Sequence, residues 1–404
     1  MPDTAPAATS RLIGLDLLRA LAIALVLFSH APVPVEGDLP GLASALLLGL
    51  KRGGWVGVDL FFVLSGFLVS GLLLRERRRH GSVRVGRFLV RRGWKIYPPL
   101  IVFVVFVVLH NRVTMGYWPV DRFVATALFI QSYVPGMQTH LWSIAVEEHA
   151  YLLIAGAFGA CAWLSHRRQR GMTLAWMPWA IGGAMVLVLA LRVHHAGAGD
   201  FSHETHLFPT HLRIDGILAG VLLAYFYHEQ PTRTAAVLRR GRWSMLVGGA
   251  GLLLPPFLWT AEQTPWIYTY GLTTNTLACL LLLGGTLAFD PARTPLRRTL
   301  AGVGRHSYSI YLWHVIAYDL LLCAITGGLV AKPAWDGPFA LRLSLFMAVA
   351  VVVGVGLSVL IEVPVLRLRD RVSPSRSGAV RPVDHAEPPA TPAPTKTIAA
   401  ARAA

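Results

Sequence analysis

Charged side chains are scarce in this sequence. Asp, Glu, Lys and Arg together make up 14% of the 404 residues, whereas soluble domains contain about a quarter. Hydrophobic residues make up 54%, and the mean hydropathy is +0.53. This balance excludes an ordinary soluble domain, because most side chains must face lipid or other helices. We therefore predict an integral membrane protein.

Cysteine is also rare, and its spacing excludes two kinds of site. The three cysteines Cys161, Cys279 and Cys323 form no CxxC pair, so we predict neither a disulfide framework nor a zinc site. One predicted loop is crowded with histidine, but its members lack the HExxH spacing of a helical metal site. They are His194, His195, His203, His206 and His211. We predict that the protein binds no metal.

Acidic residues are fewer than basic ones, which gives a formal net charge of +16. The Lys and Arg residues lie in short clusters between apolar runs and form no single basic domain, so we do not predict nucleic-acid binding. Their position beside apolar runs is typical of the cytoplasmic loops of membrane proteins.

Ten apolar runs are long enough for a helix to cross a hydrocarbon core of roughly 30 Å. The sequence therefore predicts an all-α, polytopic transmembrane bundle of about ten helices. Two shorter segments, 41–50 and 121–134, are predicted to be interfacial or re-entrant. The ten runs are 12–30, 55–74, 95–111, 146–164, 173–193, 211–228, 243–260, 268–289, 307–326 and 341–363.

Basic residues concentrate in alternate connections, which predicts that both termini are cytoplasmic. We divide the chain into a short cytoplasmic segment, 1–11, a transmembrane domain, 12–369, and a disordered cytoplasmic tail, 370–404. The tail is rich in Pro, Ala, Thr and Ser and has no periodic apolar pattern. The predicted location is the cytoplasmic membrane of a bacterium, as a multi-pass protein among membrane lipids.

The first predicted span contains two polar residues that could share one cavity. Arg19 and His30 are eleven residues apart, close to three helical turns, so both project from one face about 16 Å apart. Arg19 suits a phosphate group, and a neutral His30 can take a proton from a hydroxyl. In the alternative interpretation Arg19 lies at the interface beside Asp16, and His30 only ends the span.

A dense basic loop follows the second predicted span, from Arg75 to Lys95. It could bind the phosphates of a nucleotide-containing donor or the head groups of anionic lipids. The alternative is that its charge only sets orientation. We favour donor binding for Arg91, Arg92 and Lys95, because an aromatic residue and two prolines fix the chain just after them.

Two further segments carry polar residues beside predicted spans. In HLWSIAVEEHAYLL, capping accounts for one of Glu147 and Glu148 but hardly for both. A carboxylate that orients an imidazole is the usual partner of a histidine base, so we predict that one of the two assists His30. In HLRIDGILAGVLLAY, Arg213 and Asp215 either pair with each other or contact substrate.

These segments, taken together, resemble the acyltransferase-3 family of membrane-bound O-acyltransferases. The resemblance runs from about Leu12 to Arg369 and rests on seven motifs in order. They read GLDLLRALAIALVLFSH, GWVGVDLFFVLSGFLVSG, RFLVRRGWKIYPPL, HLWSIAVEEHAYLL, HLRIDGILAGVLLAY, SYSIYLWHV around His314 and IEVPVLRLRDR.

The resemblance implies an acyl-CoA donor, most simply acetyl-CoA, that approaches from the cytoplasm, with His30 essential. Three positions depart from the family: Lys95 stands where Arg is usual, and His149 and Ala150 replace Gln and an aromatic residue. Many relatives carry an additional hydrolase-like domain, and we expect none in this chain. We therefore expect the chain either to complete the transfer itself or to use a separate extracytoplasmic partner.

Our interpretation is an O-acyltransferase that moves an acyl group from acyl-CoA to a hydroxyl of a glycan, a lipid or an antibiotic, directly or through an acyl-His30 intermediate. His30, Glu147 and Glu148 are the predicted catalytic residues, and Arg19, Arg91, Arg92 and Lys95 bind the donor. The alternatives are a transporter or flippase of a lipid-linked sugar and a glycosyltransferase that uses a polyprenyl phosphate. The predicted substrate-binding residues are Asp59, His140, Trp142, Ser143, Arg213 and Asp215.

Overall fold

The computed structural model describes residues 13–33, 40–169, 171–197, 199–289, 294–327 and 337–376. Within these ranges every regular element is helical and none is a strand. The α-helices are α1 Ile13–His30, α2 Gly41–Gly53, α3 Val56–His80, α4 Val85–Met115, α5 Val120–Ala127, α6 Trp142–Arg167, α7 Met177–Ala196, α8 His203–His206, α9 Thr210–Arg213, α10 Asp215–Glu229, α11 Pro231–Leu252, α12 Pro255–Leu258, α13 Leu272–Leu287, α14 Pro295–Arg305, α15 Ser307–Thr326, α16 Phe339–Leu357 and α17 Val363–Val372. A 3-10 turn, Thr139–Leu141, precedes α6, and π-helical turns at Ile267–Gly271 and Ser358–Glu362 adjoin α13 and α16.

Eight helical segments in the described ranges are long and apolar enough to cross a membrane. The all-α, multi-pass prediction is confirmed to that extent, while the number ten and the cytoplasmic position of the termini stay predictions. The segments are Ile13–His30, Val56–His80, Val85–Met115, Thr139–Arg167, Met177–Ala196, Ile267–Leu287, Ser307–Thr326 and Phe339–Val372.

The two other predicted spans, 211–228 and 243–260, are also helical but divide differently. The first is split at Ile214 into the short α9 and the 15-residue α10. The second begins earlier, because α11 starts at Pro231, and it ends at Leu252 before the short α12. Arginines in the first half of α11 lower its hydropathy, so length and composition alone do not mark it as a span.

Helix α4 begins at Val85, ten residues before the predicted span, and continues through Pro98 and Pro99. Most of the basic segment is therefore helical, because residues 75–80 end α3 and residues 85–95 begin α4, and only residues 81–84 connect the two helices. The predicted interfacial segments contain α2 and, near residue 121, the short α5.

Helices α3 and α10 approach each other closely at two glycines. A Cβ atom at Gly66 would lie 2.0 Å from the carbonyl oxygen of Ile217, and one at Gly220 would lie 2.1 Å from that of Val63. No side chain fits at either position, so the backbones meet directly, as small residues allow between membrane helices. This contact holds Asp59 of α3 beside the start of α10.

The C-terminal end of the described chain lies against the basic ends of α3 and α4. Arg91 donates to the carbonyl oxygen of Ser373, and Arg87 donates to that of Pro374 at 2.7 Å. Residues 370–376 of the predicted tail are thus ordered against the bundle, and 377–404 lie outside the described residues, as does the predicted N-terminal segment 1–11. We call this the arginine-rich end, and the opposite end, where α1 stops, the His30 end.

Candidate active site

His30 is the last residue of α1, and its ring is oriented by its own helix. Its Nδ1 lies 3.0 Å from the carbonyl oxygen of Val26, which the Ser29 hydroxyl also contacts at 2.7 Å. A carbonyl can only accept, so Nδ1 carries the proton and Nε2 keeps its lone pair. This is the tautomer that a general base requires.

Three imidazole rings cluster at the end of α1. The ring centroid of His30 lies 4.8 Å from that of His314 and 6.4 Å from that of His140, and the latter two are 5.0 Å apart. His140 and His314 are buried. Nδ1 of His314 lies 2.7 Å from the carbonyl oxygen of Tyr311, while its buried Nε2 has no hydrogen-bond partner among the described atoms.

His30 lines a cavity of about 730 Å³ at the His30 end. We call it the His30 cavity. Of the predicted substrate-binding residues, His140, Trp142 and Arg213 also line it. Lys51 of α2 reaches the same cavity, and its ammonium donates to the carbonyl oxygen of Ala31 at 2.6 Å. Burial lowers the pKa of Lys51.

A smaller cavity, of about 100 Å³, lies further into the bundle toward α4. We call it the arginine cavity, because three of the four predicted donor-binding residues, Arg19, Arg92 and Lys95, line it. Arg19 also donates to Asp16 at 3.3 Å. Arg19 therefore makes the contact with Asp16 that the alternative interpretation expects, and it also lines a cavity, as the donor-binding interpretation expects.

Val58 and Tyr311 line both cavities. The Tyr311 hydroxyl donates to the carbonyl oxygen of His140 and lies 2.7 Å from the hydroxyl of Ser143. Ser143, a predicted substrate-binding residue, lines the arginine cavity and not the His30 cavity. These contacts hold Tyr311 in place between the arginine cavity and the three histidines.

Glu147 belongs to the arginine cavity. One carboxylate oxygen accepts from Ser65 at 2.9 Å. The other accepts from the Tyr151 hydroxyl and lies 3.5 Å from the Arg92 guanidinium. Arg92 also donates to the Tyr151 hydroxyl and lies 4.1 Å above the centre of that ring. These contacts hold the Arg92 guanidinium in one position at the cavity wall.

Glu148 turns to a different neighbour. Tyr97 donates to it at 3.0 Å, and its second carboxylate oxygen is buried with no partner in the described part of the chain. The hydrogen bonds of Glu147 and Glu148 thus lead away from His30. The neighbours of the His30 ring are instead the Val26 carbonyl oxygen, the Ser29 hydroxyl and two other histidines. The structure places neither glutamate in contact with His30, which one of the two was predicted to orient.

Arg91 does not share the arginine cavity. It pairs with Asp370 at 2.9 Å and with the backbone of Ser373 at the arginine-rich end. Neighbouring residues on a helix point about 100° apart, so Arg91 and Arg92 face different surroundings.

Asp59, Arg213 and Asp215 belong to a buried charge network. Arg213 pairs with Asp59, and Asp215 pairs with Arg192 of α7. The alternative in which Arg213 pairs with Asp215 is wrong, because side chains two apart on a helix point away from each other. Arg213 also lies between the rings of Trp55 and Trp142, at 5.7 and 5.3 Å.

The residues of this region that were not predicted include Lys51, Arg192, Tyr311 and His314. Arg192 could have been recognised from the sequence, because it lies within a predicted apolar span, where an arginine requires a partner. His314 lies in a motif that carried the resemblance but received no role. No group of three or more His, Cys, Asp or Glu side chains in the described ranges has the arrangement of a metal site.

Comparison with known proteins identifies the family. The model of a family described as "Acyltransferase domain" matches residues 12–363. The chain is similar to "O-acetyltransferase OatA" of Staphylococcus aureus strain NCTC 8325, with 28% identity over 329 residues, 74% of this chain and 49% of the relative. It is also similar to the protein SACOL0978 of strain COL, with 26% identity over 331 residues, 74% of this chain and 50% of the relative.

The chain thus spans about half the length of the curated relatives it matches. No solved structure matches it significantly. The family match covers both cavities, the three histidines and the buried charge network. With its apolar helices, this chain belongs to the membrane acyltransferase-3 family.

Proposed function

We propose that this protein is an O-acyltransferase of the bacterial cytoplasmic membrane that moves an acyl group, most simply acetyl, from acyl-CoA to a hydroxyl. The hydroxyl belongs to a glycan, a lipid or a secondary metabolite. One observation carries the proposal: a cationic cavity and a cavity with a free imidazole nitrogen meet at the same tyrosine, Tyr311. That arrangement suits a phosphate-bearing donor on one side and an acceptor on the other.

The donor would enter from the arginine-rich end. A cavity of about 100 Å³ suits part of the narrow pantetheine arm but not the nucleotide. The arm would therefore lie beside Arg19, Arg92 and Lys95, with the phosphates toward the basic surface around Arg91. The thioester would reach the wall formed by Val58 and Tyr311.

The chemistry then needs one base. His30 Nε2 takes the proton of the acceptor hydroxyl as that oxygen attacks the thioester carbonyl carbon. The tetrahedral intermediate collapses, the carbon–sulfur bond breaks, and the thiolate of coenzyme A receives the proton from His30. Lys51 lines the His30 cavity, on the acceptor side, where its ammonium can stabilise the negative oxygen of the intermediate. An acyl-His30 intermediate is the alternative route.

Turnover of radiolabelled acetyl-CoA by the protein in nanodiscs tests this proposal. Wild type, His30→Ala and His166→Ala are compared with a panel of hydroxyl acceptors and with water alone. His166 is the matched control, because it is an exposed histidine at the end of α6. We expect His30→Ala to bind coenzyme A normally and to lose turnover, by about 10²–10⁴-fold, while His166→Ala keeps it.

Two results would contradict the proposal. Equal turnover in wild type and His30→Ala would show that His30 is not the general base. If the wild type neither binds nor consumes any short acyl-CoA, acyl-CoA is not the donor. Assays with polyprenyl-phosphate sugars would then test the glycosyltransferase and transporter alternatives.

A further inference from the structure

A cavity of about 520 Å³ lies beside the His30 cavity and has no role in the reaction described above. We call it the side compartment. We propose that it binds the sugar unit next to the one that is acylated, so that the acceptor is an oligosaccharide or a longer glycan. The proposal rests on the proposed function, because it takes the His30 cavity as the place where the acceptor reacts.

The two cavities share a wall. Thr139, Glu204 and Phe208 line both the side compartment and the His30 cavity. Phe208 is held there by stacking on Trp142, with ring centroids 4.9 Å apart and an angle of 14°. A ligand whose hydroxyl reaches His30 can therefore extend past this wall into the side compartment.

An ordered loop, residues 128–138, forms one side of the compartment. The backbone N–H of Met137 donates to Thr126 at 2.9 Å, the Ser132 hydroxyl lies 3.1 Å from that of Thr210, and the Tyr133 hydroxyl lies 3.2 Å from His211. Phe129 adopts a φ of 57°, which is unusual for a non-glycine residue. A loop fixed in this way loses little conformational freedom when a ligand binds.

Gln131 supplies the second observation that indicates a ligand. Its side chain lines the compartment and is only 4% exposed. The side-chain nitrogen donates to the carbonyl oxygen of Leu141 at 3.2 Å, whereas the amide oxygen is buried without a partner among the described atoms. A buried acceptor normally has a donor, and a ligand hydroxyl would provide one.

The lining indicates the chemistry of the ligand. Asn111, Thr114 and Gln138 offer amide and hydroxyl groups, and Tyr117 and Tyr133 add partly exposed rings. Such a surface suits a molecule with many hydroxyls and weakly polar faces, and it would leave polar groups unpaired against a hydrocarbon chain. Each cavity alone has the volume of a small-ligand pocket, about 300–1,000 Å³. A chain of sugar units can occupy both.

The inference can be tested by filling the compartment without touching His30. Thr114→Trp places an indole in it, and Asn111→Trp is a second blocking variant in case the first does not fold. Val113→Trp is the matched control, because Val113 neighbours Thr114 on α4, is 77% exposed and does not line the compartment. All proteins are assayed in nanodiscs with acetyl-CoA.

The acceptors are glucose and N-acetylglucosamine, each as the monomer and the β-linked tetramer, with 1-octanol as a non-sugar alcohol. In wild type we expect kcat/KM to be about tenfold higher, or more, for a tetramer than for its monomer, equivalent to about 1.4 kcal/mol. Thr114→Trp should remove this preference, so that kcat/KM becomes the same for a tetramer and its monomer. Val113→Trp should behave as wild type.

Direct binding of the tetramers, measured by titration calorimetry without donor, separates this inference from the proposed function. Tetramer binding that Thr114→Trp abolishes would support the compartment even if the protein consumed no acetyl-CoA. Equal kcat/KM for monomer and tetramer, or equal losses for both in Thr114→Trp and Asn111→Trp, would overturn it. So would acetylation of 1-octanol with no binding or acetylation of either sugar series.

Discussion

The imidazoles of His30 and His314 are in edge-to-face contact, with centroids 4.8 Å apart and planes at 78°. His314 is fully buried, and its proton-bearing Nδ1 faces the carbonyl oxygen of Tyr311. Its lone pair at Nε2 is therefore placed inside the cluster without a partner among the described residues. When His30 takes a proton, a neighbouring lone pair can stabilise the charged ring, so we predict that His314 is a positioning residue.

The variant His314→Gln is expected to lower kcat by about tenfold or more, because assistance to a general base contributes to the proton transfer. The KM for acetyl-CoA should not change, since His314 does not line the arginine cavity. Steady-state kinetics measure the two values, with His166→Gln as control. A rise in KM with unchanged kcat would show that His314 acts only in packing.

The pair Asp59–Arg213 predicts a stability effect that is separate from catalysis. Both side chains are nearly inaccessible, at 5% and 2% exposure, and they are in contact. Asp59→Ala should destabilise the protein by about 3–5 kcal/mol, because it leaves a buried guanidinium unpaired. The double variant Asp59→Leu with Arg213→Met should recover most of that loss. Thermal unfolding in detergent measures both, with the exposed Asp200→Ala as control.

If the double variant were as unstable as Asp59→Ala, the loss would come from packing and not from an unpaired charge. Arg192 and Asp215 lie next to this pair, linked to it through α9 and α13. Because the Arg192–Asp215 pair stays intact in these variants, we expect the effect of the substitutions to stay local to Asp59 and Arg213.

Local spacing was enough to predict part of the candidate site. Arg19 and His30 share one helix, so their relative position follows from helical geometry, and Arg92 and Lys95 share another. Each of these residues lines a cavity, but Arg19 lies in the arginine cavity and His30 in the His30 cavity, so the prediction that the two share one cavity is wrong. The helical class of the fold could also be predicted from the sequence, because an apolar run of this length can adopt few structures other than a helix in a membrane.

Contacts between distant segments could not be predicted in the same way. Asp59 and Arg213 are 154 residues apart, and a single sequence does not show which carboxylate an arginine meets. For the same reason Glu147 and Glu148 were expected beside His30, but Ser65, Tyr97 and Tyr151 bind them. The number of spans also stays a prediction, because the arginines of α11 occupy a helix that continues into an apolar half, and length and composition alone do not mark it as a span.

Lys51 allows a prediction about pH. Burial lowers the pKa of its ammonium, so it loses its charge at a lower pH than an exposed lysine does. If that charge stabilises the oxyanion, kcat should fall as the pH rises through the lowered pKa. Lys51→Arg should move this alkaline limb to higher pH, because a guanidinium stays protonated. Lys51→Met should lower kcat at pH values below the lowered pKa, where the wild-type ammonium is charged, and should not show this alkaline limb.

The pH profile of kcat for the three proteins checks this. His30 and Arg52 line the same cavity, so Arg52→Lys serves as the control. An alkaline limb that is the same in wild type and Lys51→Arg would assign it to another group.

The contact between Arg91 and Asp370 predicts competition between the C-terminal segment and the donor. Arg91 was predicted to bind phosphate, yet its guanidinium contacts the Asp370 carboxylate and the Ser373 carbonyl. Asp370 is 55% exposed, so this ion pair should contribute less than about 1 kcal/mol to stability. Asp370→Asn should therefore leave thermal unfolding unchanged and lower the KM for acetyl-CoA about two- to threefold, because the arginine is released for the donor.

Arg91→Ala should raise that KM, and Arg371→Ala, an exposed arginine on the same C-terminal helix, should not. Salt separates the two possible causes. If Arg91 contacts the donor phosphates, the difference in KM between wild type and Arg91→Ala should shrink as ionic strength rises, since screening weakens exposed charge pairs. If Arg91→Ala instead leaves the KM unchanged at low salt, Arg91 only anchors the C-terminal segment, and the donor phosphates bind elsewhere on the basic surface.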